Sequence, residues 1–338
     1  MNRSELEAIA RAMVAPGRGI LAADESTGTI KKRFDAIKVE NTEENRRAYR
    51  EMLFTASGIA EHISGVIMYD ETLRQKTREG VPFAEVLAKQ GIVPGIKVDA
   101  GAKPLAGFPG ETITEGLDGL RERLAEYHKL GARFAKWRAV IDIGAGIPTR
   151  FAIDANAHAL ARYAALCQEA HIAPIVEPEV LMDGDHSLAR CEEVTDAVLN
   201  SVFDQLFAHR IHFEGMVLKP NMVISGKKAA TRASAAEVAE ATLQCLKRHV
   251  PTAVPGIAFL SGGQTEAEAT AHLSLMNQAS GLPWALTFSY GRALQESAQK
   301  AWAGRAENLA AGQKAFLHRA RLNGLARRGK YTASLEAA

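Results

Sequence analysis

No apolar run in this chain approaches the roughly 18 residues that a bilayer-spanning helix needs. The N-terminus also lacks the basic-then-apolar order of a secretory signal, carrying Glu5 and Glu7 within an amphipathic helical pattern. These absences argue against a membrane protein and against export. Cysteine is scarce: Cys167, Cys191 and Cys245 are odd in number, widely spaced and each set in a helical pattern. That spacing argues against a disulfide framework and fits reduced thiols in a reducing compartment. Neither charge is in excess, since 41 basic side chains nearly cancel 39 acidic ones. No global field draws the chain to nucleic acid or to an anionic membrane, so any charge attraction is local. A soluble cytoplasmic protein is the expectation.

Several chemistry-bearing motifs are missing too. Gly144-Ala145-Gly146 lacks the further glycine and the helix of a dinucleotide fingerprint, and there is no glycine-lysine phosphate loop of the Walker type. His209 and His212 have no glutamate partner in a metal-binding motif and fall near a helix end, so they read as structural. No metal and no cofactor are expected. No linker, repeat or low-complexity tract divides the 338 residues.

What the chain does contain is alternation. Short β-like runs occur at Gly19–Asp24, Gly65–Asp70, Val93–Asp99, Phe134–Val140, Pro174–Val180, Gly215–Lys219, Gly256–Ser261 and Trp284–Tyr290. Helical patterns lie between them, at Glu43–Glu61, Glu115–Leu130, Asp154–Glu169, Glu192–Phe207, Ala235–His249 and Glu266–Gln278. Eight such units predict an α/β fold, a single-domain (β/α)8 TIM barrel, rather than an open sheet of fewer strands. The expected division is a barrel with an N-terminal helix over 1–331 and a short tail over 332–338.

The strands carry unusual residues for buried elements. Side chains two apart share a face, and three runs place charged pairs at that spacing: Lys97 with Asp99, Lys136 with Arg138, and Glu177 with Glu179. Asp24 and Lys219 stand at two further strand ends, Lys219 followed by Pro220, which cannot donate to a ladder. Each is tolerable alone as a solvated edge charge. Together they point to an active site at the C-terminal mouth of the barrel, where parallel strands leave few other places for charge. Glycine turns follow the last two strands, Ser261-Gly262-Gly263 and Ser289-Tyr290-Gly291-Arg292, and suit a phosphate held by backbone N–H groups and a guanidinium. The first strand's loop, Glu25-Ser26-Thr27-Gly28-Thr29 followed by Lys31-Lys32-Arg33, offers hydroxyls and cations for a second phosphate. Two anion sites across one mouth suggest a small bisphosphate. The C-terminal cluster Arg319, Arg321, Arg327, Arg328 and Lys330 reads as a solvated basic face.

These stretches resemble the class I fructose-bisphosphate aldolases. The similarity lies in Ala23-Asp24-Glu25-Ser26-Thr27-Gly28, Phe134-Ala135-Lys136-Trp137-Arg138, Val176-Glu177-Pro178-Glu179, Leu218-Lys219-Pro220-Asn221-Met222, Leu260-Ser261-Gly262-Gly263-Gln264 and Ser289-Tyr290-Gly291-Arg292. It runs from the first helix to about Tyr331. The resemblance implies a metal-free lyase that cleaves fructose 1,6-bisphosphate into dihydroxyacetone phosphate and glyceraldehyde 3-phosphate, as a homotetramer.

It also implies roles. Lys219 is the Schiff-base nucleophile, Asp24 and Glu177 transfer protons, and Lys136 and Glu179 shape their charge and orientation. Ser261, Gly262, Gly291 and Arg292, beside Ser289, take the ketone-side phosphate. Ser26, Thr29, Lys97, Arg138, Lys32 and Arg33 surround the other. Partial burial and the nearby Lys136 cation would favour the neutral amine that imine formation requires. A metal-dependent lyase and a catalytically silent barrel are the alternatives. In one respect the chain departs from the animal members, which end in a tyrosine that assists enamine protonation. Here Tyr331 is followed by Thr332 to Ala338 without a terminal tyrosine, so another acid or water is expected to serve, and removing 332–338 is expected to change turnover little.

Overall fold

The computed structural model describes residues 2–337. Ten strands are present among these residues: β1 (Gly19–Ala23), β2 (Ile63–Met68), β3 (Val93–Lys97), β4 (Gly101–Pro104), β5 (Thr112–Glu115), β6 (Phe134–Ile141), β7 (Ala173–Val180), β8 (Val217–Leu218), β9 (Gly256–Phe259) and β10 (Ala285–Tyr290). Eight of them close into a barrel in the order β1-β2-β3-β6-β7-β8-β9-β10, every neighbouring pair parallel. The single-domain TIM barrel is therefore the fold, and the eight strands correspond to the eight expected runs.

Helix starts follow local chemistry. Ser234 and Glu237 form a reciprocal capping box at Ala235–His249, and Thr265 and Glu268 form another at Glu266–Met276, each satisfying otherwise orphaned N–H groups. At the barrel floor the helix Arg3–Met13 seals the N-terminal opening. Its Leu6, Ala10 and Met13 pack with Val14, Ile20, Ile67, Phe134, Ile175 and Val217 in a separate buried cluster. Glycine makes the close approaches possible: a Cβ on Gly256 would meet Val14 Cγ1 at 2.6 Å, and one on Gly95 would meet the Phe134 ring at 2.2 Å. Because Phe134 is fully buried, its ring has little room to yield. Gly95→Ala is expected to destabilise the protein by about 1–3 kcal/mol, read as a lowered midpoint of thermal unfolding. Gly28→Ala, where no atom lies within 4 Å of the added carbon, serves as the near-neutral control.

Some boundaries differ from expectation for physical reasons. Of the run Gly215–Lys219 only Val217–Leu218 forms ladder, because Phe213–Gly215 is a 3-10 turn and Pro220 has no N–H to continue it. The Lys219 N–H still donates to the Val176 carbonyl at 2.8 Å, which anchors this lysine to β7. The pattern Glu43–Glu61 splits into the helix Glu43–Phe54 and a 3-10 turn at Ile59–Glu61, separated by Gly58 with φ +91°. The antiparallel hairpin β4–β5 was not anticipated; it occupies Glu115, so the following helix is Leu120–Lys129 rather than Glu115–Leu130.

The basic C-terminal cluster is not uniformly solvated, which corrects the sequence reading. Arg321, Arg328 and Lys330 are exposed, but Arg319 is buried on the inner face of helix Leu309–Ala326, with Phe316 and Ala320. It donates to Glu336 at 2.8 and 2.5 Å, and Glu336 also accepts from the Tyr331 hydroxyl at 2.7 Å. Arg327 is half-buried without a carboxylate partner among the described residues, and burial pulls its pKa down. Residues Ala333–Ala337 form a 3-10 turn held down through Glu336.

Candidate active site

A cavity of about 490 Å³ opens at the C-terminal end of the barrel strands. That volume suits a small ligand. All the sequence-predicted residues line it except Lys32, which points into solvent from helix Thr27–Ala36. Its neighbour Arg33 does line the cavity, so the two cations are separated.

At the cavity floor four charged side chains alternate in sign across four strand ends. Asp24 Oδ2 accepts from Lys136 Nζ at 2.7 Å. Lys136 Nζ lies 3.2 Å from Glu177 Oε2, and the other oxygen, Glu177 Oε1, lies 3.1 Å from Lys219 Nζ. One carboxylate is thus shared by two lysines, at ion-pair distance. Lys136, Glu177 and Lys219 are no more than 4% exposed. The β6 and β7 pleats explain the convergence, because Lys136 and Arg138 share one face and Glu177 and Glu179 share another in register beside it.

Burial and charge compete at these groups. Burial alone would raise the Asp24 carboxyl, but the Lys136 and Lys219 charges and the Lys136 hydrogen bond overcome it and hold it well below the usual carboxylate range. Burial would lower the Lys136 ammonium, yet the Asp24 and Glu177 charges raise it instead. Asp24 is ionised and Lys136 protonated at neutral pH. A buried primary amine flanked by one carboxyl group, with a fixed cation and a second carboxyl group in reach, can support imine formation and proton transfer.

On one rim, Lys97 Nζ is 2.7 Å from Asp99 Oδ1, while Asp99 Oδ2 accepts from the Arg138 N–H at 3.3 Å and Oδ1 from that of Gly101 at 3.0 Å. Arg138 pairs with Glu179 through its side chain. Ser26 caps helix Thr27–Ala36 and lies 3.1 Å from the Thr29 hydroxyl. The other rim is formed by Ser261, Gly262, Ser289, Gly291 and Arg292. There Ser289 is 1% exposed and its hydroxyl has no partner among the described residues. A Cβ on Gly291 would lie 3.4 Å from the Ala22 carbonyl and 3.5 Å from the Arg33 side chain, ordinary contact distances that place this turn against β1 and helix Thr27–Ala36.

Two features escaped sequence reading. Glu25 is buried, pairs with Arg33, lies 3.2 Å from Arg50 and accepts from Gln295 at 2.9 Å. Its sequence neighbours give no sign of this, because Arg50 and Gln295 come from distant helices. The hairpin start, Ala100 to Ala102, walls the first rim together with Tyr69. By contrast His209 and His212 lie away from the cavity, His212 bonding Glu7 at 2.9 Å.

Comparison with known proteins agrees with this geometry. The family model described as fructose-bisphosphate aldolase class-I matches residues 5–338. The chain is 59% identical over 332 residues to the probable fructose-bisphosphate aldolase class 1 of Xanthomonas campestris pv. campestris, covering 98% of this chain and 99% of that protein. It is 55% identical over 331 residues to fructose-bisphosphate aldolase 2 of Caenorhabditis elegans, covering 98% of this chain and 90% of that one. The solved fructose-bisphosphate aldolase of Plasmodium falciparum superposes with a TM-score of 0.97 at 50% identity, over 98% of this chain and 96% of that one. A closed parallel barrel, a lysine and carboxylate cluster at its mouth and similarity over nearly the whole length thus meet in one family. The chain belongs to the class I fructose-bisphosphate aldolases, glycolytic lyases that reversibly cleave fructose 1,6-bisphosphate to dihydroxyacetone phosphate and glyceraldehyde 3-phosphate through a lysine Schiff base.

Proposed function

We propose that Lys219 is the lysine that forms the imine. The observation that carries this is its place: a buried Nζ on the cavity floor, 3.1 Å from Glu177, with Lys136 on the far side of the same carboxylate. The Lys219 amine attacks the substrate ketone, and Glu177 moves the proton that lets the resulting carbinolamine lose water. Asp24, ionised beside Lys136, takes the proton of the hydroxyl next to the bond to be broken. Cleavage then leaves its electron pair in the protonated imine, which becomes an enamine, and the aldehyde half departs. Protonation of the enamine and hydrolysis return the lysine.

Lys136 keeps Asp24 ionised and pairs with Glu177, and Glu179 orients Arg138. Ser261, Gly262, Ser289, Gly291 and Arg292 take the ketone-side phosphate; Ser26, Thr29, Lys97, Arg138 and Arg33 take the other, with Lys32 contributing only from the surface. The working form is a cytoplasmic homotetramer. Its support is the family, and for location the scarcity of cysteine and the fact that no helix among the described residues is long and apolar enough to cross a membrane.

The direct test reduces a mixture of the enzyme and dihydroxyacetone phosphate with borohydride and locates the adduct by peptide mass. The expected adduct is on Lys219, and any other lysine refutes the assignment. Cleavage is expected to persist in excess chelator. Loss of activity there, restored by a divalent ion, would favour the metal-dependent alternative.

A further inference from the structure

The turn after β9 carries Gly262 and Gly263 at φ +54° and +88°, so its own conformational preferences hold it only loosely. What holds it is Gln264, 2% exposed. The Gln264 backbone N–H and side-chain Nε2 both donate to the Ser261 carbonyl, each at 2.9 Å. Nε2 also lies 3.7 Å from Met222 Sδ, and the Gln264 carbonyl accepts from Arg292 NH2 at 3.3 Å. One residue therefore ties the glycine turn after β9 to the guanidinium after β10.

Peptide planarity gives this tie a direction. The Ser261 carbonyl and the Gly262 N–H belong to one peptide unit and point opposite ways. Drawing the carbonyl onto Gln264 turns the Gly262 N–H away from Gln264, and Gly262 lines the cavity. The tie works only if the Gln264 amide presents its nitrogen to Ser261, since a flipped amide would set two oxygens against each other.

His272 fixes that orientation. Its Nδ1 lies 2.6 Å from Gln264 Oε1, and it is 6% exposed on helix Glu266–Met276. With Nε2 of Gln264 committed to Ser261, Oε1 is the acceptor and Nδ1 carries the proton. Burial lowers the imidazole pKa to about 4, against the pull of Glu268 and with that of Arg232, so the neutral ring is the working form at physiological pH.

We infer that Gln264, oriented by His272, is a positioning residue that aims the Gly262 N–H and the Arg292 guanidinium at the ketone-side phosphate. This rests on the assignment of that phosphate to this rim.

The test compares inhibition constants of dihydroxyacetone phosphate and glyceraldehyde 3-phosphate, products that carry one phosphate each. Gln264→Met keeps the length and removes the donor; His272→Leu removes the orienting N–H. Both are expected to weaken dihydroxyacetone phosphate about tenfold, a change of about 1.4 kcal/mol, and to leave glyceraldehyde 3-phosphate within about twofold. His272→Asn sets an amide N–H where the Nδ1 proton was and is expected to restore the wild-type constant. Equal weakening of both ligands, or unchanged dihydroxyacetone phosphate in Gln264→Met, overturns the inference. So does His272→Asn behaving like His272→Leu. Arg292→Ala separates this from the underlying assignment: if it leaves dihydroxyacetone phosphate binding intact, the phosphate is not on this rim at all. If Arg292→Ala weakens it and Gln264→Met does not, only the positioning role fails.

Discussion

Lys219→Arg is expected to lower the turnover of fructose 1,6-bisphosphate cleavage by roughly 10⁴-fold or more, the scale seen when a covalent nucleophile is removed. It is also expected to abolish the borohydride-trapped adduct. Arginine is the informative replacement because it keeps a cation beside Glu177, whose Oε1 lies 3.1 Å from the lysine nitrogen. A guanidinium does not deprotonate in a protein, so it cannot become the neutral amine that attacks a ketone. The variant separates charge from nucleophilicity. Cleavage surviving within tenfold of wild type, with no adduct, would mean that the reaction does not pass through this lysine.

Lys136→Met is expected to act on stability. It strips the hydrogen-bonded cation from Asp24 and the neighbouring cation from Glu177, leaving buried carboxylates short of positive charge. Breaking a buried pair in this way costs about 3–5 kcal/mol. The pH dependence should also change sign. In the wild type the Asp24 carboxyl is held below its unfolded value, so the stability it contributes is present above about pH 4 and is lost as the pH falls through the depressed folded value.

Lys136 itself is raised, and its contribution is complete below about pH 10 and is lost only in strong alkali. Without Lys136 only the Lys219 and Lys97 charges oppose the burial of this carboxyl; the folded value is expected to rise above the unfolded one, so lowering the pH from 7 toward 5 should stabilise the variant relative to neutrality. Thermal unfolding across that range checks the slope, and an unchanged slope means that Lys136 is not the dominant counter-ion of Asp24.

The barrel was legible because its signals are local. Eight apolar runs with helical patterns between most of them announce parallel strands, and a two-residue period along Lys136 and Arg138 or Glu177 and Glu179 places charges on one face without any structure. Most of the mouth was legible for the same reason, since its residues stand at strand ends. What the sequence hid depends on contacts between distant segments. Glu25 looks like one more loop carboxylate until Arg50 and Gln295 are seen around it. Lys32 and Arg33 are adjacent in sequence, yet helical geometry turns one outward and the other onto Glu25. Arg319 read as surface because its partner Glu336 lies seventeen residues on, past the end of the helix. The β4–β5 hairpin was hidden by its charged and threonine-rich composition, which fits an exposed ribbon better than a buried strand.

The closed floor has a kinetic meaning. With Leu6, Ala10 and Met13 packed under the barrel, the floor is closed, and substrate and both products pass through the mouth at the C-terminal strand ends. During the reaction the ketone half is tethered by a covalent bond to the lysine at the bottom of that blind chamber. The aldehyde half has no covalent bond to the protein, and on the proposed assignment only the opposite rim holds it, so it is free to leave while the tether persists. Release is therefore sequential by construction: aldehyde first and ketone last. In the direction of synthesis the ketone must enter first and be anchored before the aldehyde closes the doorway behind it.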